Sequence, residues 1–236
     1  MKQIICLMMF AFVFTPLFIS AQERSLTWII NGDANHPHPA NSKIETLTDD
    51  LIKNGWSLRT VKQNAVMDDG LAGSKLIIID LNASIVDIPD AFYCNLLVPA
   101  VQEGAVVLFN GYGQLPSLEE YFQDESFKVN FSEDLDSLRK TASITMSSFS
   151  YKPHNMKSVF ANTTPPGVYI PAVPEKWEVL ATQKMKNGAK QPYLLARPYG
   201  KGMVAVIVAP IGYARQPEAV VFLLDNLLEY NNKIKR

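Results

Sequence analysis

Apolar positions along the chain follow two rhythms. Leu76-Ile-Ile-Ile-Asp80 and Ala105-Val-Val-Leu-Phe-Asn110 are short, unbroken apolar runs, the pattern of strands buried on both faces of a parallel sheet. Between such runs lie helical stripes. Over 42–54, Ile44, Leu47, Leu51 and Ile52 recur at helical spacing, and Asn54-Gly55 supplies a C-terminal stop. Strands are also predicted over 26–31 and 56–61, a second helix over 89–103, and a short helix over about 117–122. The order β-α-β-β-α-β implies right-handed crossovers and helices covering a sheet. The predicted fold is a single flavodoxin-like three-layer α/β domain with a mostly parallel central sheet.

Periodicity weakens from Gln123 to about Glu175, where prolines stand at 153, 165, 166, 171 and 174. Segments 142–149 and 168–173 are strand candidates within an irregular insertion at about 123–175. Order returns with strands over 177–182, 193–197 and 203–208. The last two flank Pro198-Tyr-Gly-Lys-Gly202, a hairpin turn in which Gly200 and Gly202 are expected to take positive φ. A closing helix over 217–230 carries Val220, Val221, Leu224, Leu227 and Leu228 on its packed face.

The first 21 residues change the address of the chain. Lys2, an apolar stretch over 4–19 and Ile19-Ser20-Ala21 make a secretory signal peptide cleaved after Ala21. The expected product, 22–236, resides in the periplasm or outside the cell. Removing Lys2 leaves 21 basic against 23 acidic residues, a net charge of −2. That balance offers no electrostatic footprint for nucleic acid, and no second apolar span is present to cross a membrane. Cys94 is then the sole cysteine, so an intramolecular disulfide is impossible. Its neighbours Phe92, Tyr93, Leu96 and Leu97 predict a buried, structural thiol.

Open parallel sheets bind ligands at the carboxyl ends of their strands. That rule selects segments 31–41, 80–84 and 110–114. The candidate ligand-binding rim is Asp33, Asn35, His36, Asp80, Asn110, Tyr112 and Gln114. Neutral donors and acceptors with one aromatic ring suit a polyhydroxylated ligand. Asp80 has a second reading, as a carboxylate capping nearby backbone donors. His36 and His38 beside Asp33 resemble part of a metal site, but a zinc signature needs at least three ligands and His154 is far away. Neither metal nor cofactor is expected. Tyr199-Gly-Lys-Gly202 lacks the spacing and following Ser/Thr of a phosphate loop.

Gly104-Ala-Val-Val-Leu-Phe-Asn-Gly-Tyr-Gly-Gln114 is a strand running into a glycine-bracketed turn, the place where several hydrolytic α/β folds hold a nucleophile. Three stretches in order, Trp28-Ile-Ile-Asn-Gly-Asp-Ala-Asn-His36, Glu103-Gly-Ala-Val-Val-Leu-Phe-Asn-Gly111, and Val179-Leu-Ala-Thr182 with Tyr199-Gly-Lys-Gly202, resemble the ThuA-like (trehalose utilisation) family of the class I glutamine amidotransferase-like superfamily. The resemblance covers most of the chain after residue 21. It implies an amidotransferase-like fold and a sugar-related role. The chain departs from it at Tyr112, where amidotransferases carry cysteine, and at Asn110-Gly111 and Ile211-Gly212-Tyr213, where ThuA-like proteins tend to carry histidine. Two readings stay open. One is an exported, non-catalytic module binding a carbohydrate or an envelope protein. The other is a sugar-processing enzyme using His36, His38 and Asp80.

Overall fold

The computed structural model describes residues 24–30, 41–81, 88–111, 113–132, 141–146, 167–185, 188–208, 211 and 217–234. The expected signal peptide lies outside them. Five strands form the parallel half of an eight-stranded sheet: β1 (Ser25–Ile30), β2 (Ser57–Lys62), β3 (Leu76–Asp80), β4 (Val106–Asn110) and β10 (Gly202–Ile207), in the order β2-β1-β3-β4-β10. Their pairings are all parallel. This is the 2-1-3-4-5 order of a flavodoxin-like sheet, with its switch point between β1 and β3. β9 (Lys190–Tyr199), β8 (Glu178–Met185) and β6 (Thr141–Met146) extend the sheet beyond β10 by antiparallel pairing. β5 (Val129–Ser132) and β7 (Val168–Pro171) form a separate antiparallel ribbon.

Every residue of β3 and β4 is buried, as their unbroken apolar runs predict for strands inside a sheet. Each large side chain so covered stabilises the fold by about 1.5–3 kcal/mol. The first helix (Asn41–Lys53) and the C-terminal helix (Pro217–Ile234) pack together. The first ends in a Schellman motif: Trp56 N–H donates to Leu51 O and Gly55 N–H to Ile52 O, both at 3.0 Å. Gly55 takes the required left-handed conformation, φ +80°. Leu47 and Leu51 are buried, but Ile52 is 56% exposed. It stands outside the expected stripe because it follows Leu51 by one residue, a rotation of roughly 100°.

The helix over 90–103 departs from simple periodicity. A π segment, Tyr93–Leu97, interrupts it between Asp90–Phe92 and Val98–Glu103. Pro99 lacks the N–H that would bond Asn95 O, and its ring would crowd that carbonyl; a widened turn removes the conflict. Phe92, Tyr93 and Leu97 face inward, whereas Cys94 is exposed. The expectation of a buried thiol is corrected: the apolar neighbours of Cys94 take the inward positions.

The β9–β10 hairpin forms as predicted, with one amendment. Only Gly200 has positive φ, +57°, at the first loop position where a type II′ turn requires it. Gly202 is needed for space, since a Cβ there would collide with the carbonyls of Val101 and Ala105. Among the described residues, no helix is long and apolar enough to cross a membrane.

Candidate functional site

The carboxyl ends of β3, β4 and β10 meet where the open-sheet rule expects a ligand. Asp80 and Asn110 are register partners on adjacent strands, and Asn110 is also paired with Ile207 of β10. Both polar side chains are buried: Asp80 is 5% exposed and Asn110 is 0% exposed. Asp80 ends β3 beside the switch point.

Three hydrogen bonds carry the chain past this edge. Leu81 N–H donates to Asn110 O at 2.8 Å, Gly111 N–H to Ile207 O at 3.2 Å, and Ile211 N–H to the Asn110 side-chain Oδ1 at 2.8 Å. The last bond fixes which way the carboxamide is turned, because an N–H needs an oxygen. Its Nδ2 is therefore a buried donor, and it has no partner among the described residues. Such a group costs about 1–3 kcal/mol when left unpaired.

Gly111 and Gly113, with φ +126° and +135°, bracket the turn beyond β4. The turn does not pass directly into a helix. Residues 113–117 are irregular and the one-turn helix begins at Leu118. Pro116 explains the delay, since it pushes residue 115 out of the helical region. Gln114 is exposed in this stretch. Asp80 and Asn110 are thus brought together, with Gln114 following four residues after Asn110. Asp33, Asn35, His36 and Tyr112, together with His38 and His154, lie outside the described residues.

Sequence reasoning missed the support beneath the turn. Tyr169, on β7, donates its hydroxyl to Gly113 O at 3.0 Å and approaches Gly111 O at 3.3 Å. Burial pushes its phenol well above the ordinary tyrosine value, so it remains a donor. Phe131 packs against its ring, with centroids 5.2 Å apart. The two-stranded ribbon therefore pins the glycine turn from outside the main sheet. No local pattern in Val168-Tyr-Ile-Pro171 announces that long-range bond.

A second support uses charge. Arg197 of β9, 8% exposed, donates through Nη2 to Asp124 Oδ2 at 2.6 Å and lies 3.7 Å over the Phe127 ring. The Asp124 carboxyl is held below its usual range, first by the Ser126 hydroxyl and backbone N–H and then by Arg197. Trp177 Nε1 donates to Ser126 O at 2.9 Å. These contacts tie β9 and the residue just ahead of β8 to the segment that leads into β5.

No family model matches the chain, and no curated protein matches it. Among solved structures, it is similar to a β-galactosidase from Rahnella sp. R3, with 15% identity and a TM-score of 0.51 over 90% of this chain and 31% of that one. A β-galactosidase from Bacillus circulans sp. alkalophilus gives 11% identity and a TM-score of 0.52 over 89% and 31%. A putative ThuA-like protein from Bacteroides uniformis matches over 88% of both chains, with 14% identity and a TM-score of 0.44. The chain spans under a third of the length of the two galactosidases. At such identities the likeness to the galactosidases is one of fold.

Proposed function

We propose that the chain is an exported, non-catalytic module of amidotransferase-like architecture that binds a neutral carbohydrate at the carboxyl edge of its sheet. The observation that carries this reading is Asn110. Its Oδ1 is committed to the backbone of Ile211, and its Nδ2 is a buried donor without a partner among the described residues. A ligand hydroxyl supplies the missing acceptor and can donate in turn to a neighbouring group. Gln114 adds an exposed carboxamide on the same turn. The elbow residue is Tyr112, whose free phenol ionises only near ~10 and is a poor nucleophile at neutral pH. The likeness to galactosidases concerns architecture and lends this chain none of their chemistry.

The competing reading, a sugar-processing enzyme, draws on Asp80, a buried carboxylate at the switch point, with His36 and His38. Titration calorimetry against a panel of neutral sugars, with and without divalent metals, combined with product detection, separates the two. The module predicts binding without turnover, weakened by Gln114→Ala and Asn110→Ser. Turnover abolished by His36→Ala and Asp80→Ala would establish the enzyme instead.

A further inference from the structure

The opposite edge of the sheet holds a cavity that the carboxyl-edge reading leaves unused. Its volume is about 450 Å³, within the ~300–1,000 Å³ of small-molecule pockets. Gly104 and Ala105, just ahead of β4, line it together with the 71–75 turn, the helix over 90–103 and the last turns of the C-terminal helix. Asn231 lines it and is only 2% exposed. Its Nδ2 donates to Gly104 O at 3.3 Å, while its Oδ1 has no partner among the described residues. The bond to Gly104 sets the orientation of the amide. Oδ1 is therefore a buried acceptor lacking a donor.

The remaining lining narrows what could supply that donor. Lys75 and Glu103 carry opposite charges, and Asn95 and Asn232 add carboxamides that can both donate and accept. No arginine fork is present among the lining residues to clasp a phosphate or carboxylate, and no aromatic ring to stack a flat base. Both helices also end here, and their negative C-terminal poles disfavour an anion. We propose that this cavity is a second site, independent of the first, for a compact neutral polyol the size of a monosaccharide, one hydroxyl of which donates to Asn231 Oδ1.

Calorimetric titration of the full chain with myo-inositol, glucose and galactose, beside gluconate and glucosamine, tests the proposal. A neutral probe should bind more tightly than either charged one. Ala100→Phe, which fills the cavity, should weaken that binding by about tenfold or more. Glu103→Gln lies on an exposed side chain, leaves folding intact and should weaken it by about threefold. The proposal is overturned by failure of every neutral probe to bind, by preference for gluconate or glucosamine, or by affinity unmoved in both variants. Weakening by Gln114→Ala with none by Ala100→Phe would also overturn it while leaving the carboxyl-edge site standing.

Discussion

Beyond the carboxyl end of β4, side chains reaching across sequence hold the glycine turn, whereas near its amino end the β9–β10 turn packs backbone against backbone. Asn110 and Tyr169 knit the carboxyl edge through hydrogen bonds to Ile211, Gly111 and Gly113. At the amino edge, Gly200 and Gly202 let the hairpin press on the end of the helix over 90–103, where Lys201 N–H donates to Gln102 O at 3.0 Å. Glycine packing is unforgiving, because a carbonyl cannot move aside as a side-chain tip can. A side-chain strut is lost more cheaply and leaves its partner exposed to a ligand or water. The two ends therefore differ in what a single substitution does: at one it displaces the backbone, at the other it frees a polar group.

Gly202→Val should show the largest effect. Its new side chain would enter the space held by Val101 O and Ala105 O, and unfolding by urea should reveal a loss of about 3 kcal/mol. An unchanged midpoint would mean that the amino edge yields more readily than its packing implies. Next comes Asn110→Leu, which leaves the buried Ile211 N–H without its acceptor. The expected loss is about 2 kcal/mol, measured the same way.

Tyr169→Phe should cost less, about 1 kcal/mol near neutral pH, through loss of the hydroxyl bond to Gly113. It should also alter the alkaline limb of stability. Burial raises the folded-state pKa of Tyr169, so below the ordinary value of about 10 the phenol is protonated in both states. Above that value the unfolded chain ionises first, and stability falls as pH rises. The variant should show a shallower fall above pH ~10. Tyr93 and Tyr193, pushed the same way by burial, keep part of the slope.

The smallest effect is expected for Asp124→Asn, under about 1 kcal/mol because the carboxylate is partly solvated. Asp124 has a lowered folded-state pKa. Its contribution is present above the ordinary carboxylate range and is lost as pH falls through the folded value. Wild type and variant should therefore converge in acid unfolding curves, and a gap that widens in acid would contradict the assigned role.

The centre of the parallel half was legible because β3 and β4 obey one local rule. Leu76 to Asp80 and Val106 to Asn110 are buried on both faces, and nothing but uninterrupted apolarity is needed to specify them. Alternating elements pointed to parallel crossovers, whereas the place of β10 beside β4, far along the chain from it, emerged only in the fold. Asp80 and Asn110 stand together at the carboxyl edge because they end those strands in register. What escaped was non-local. Tyr169 acts on residues more than fifty positions earlier, and β5 is a four-residue strand whose partner comes long after it. Cys94 was misplaced because a π segment shifted the helical phase that its neighbours seemed to define. The amino-edge cavity had no motif at all, being assembled from a turn and two helices that meet only in the fold.

Location of the bound ligand is the most direct test of the central claim. In a ¹H–¹⁵N NMR titration with a neutral sugar that binds, the side-chain amide of Asn110 and the backbone amides of Gly111 and Gly113 should shift in a saturable way, while the resonances of the sugar show no conversion. Asn110 Nδ2 should move most, since it alone gains a partner. If those three residues stay still at saturation, whatever happens around Gly104, or if the sugar is consumed, the carboxyl edge is not the binding site of a non-catalytic module.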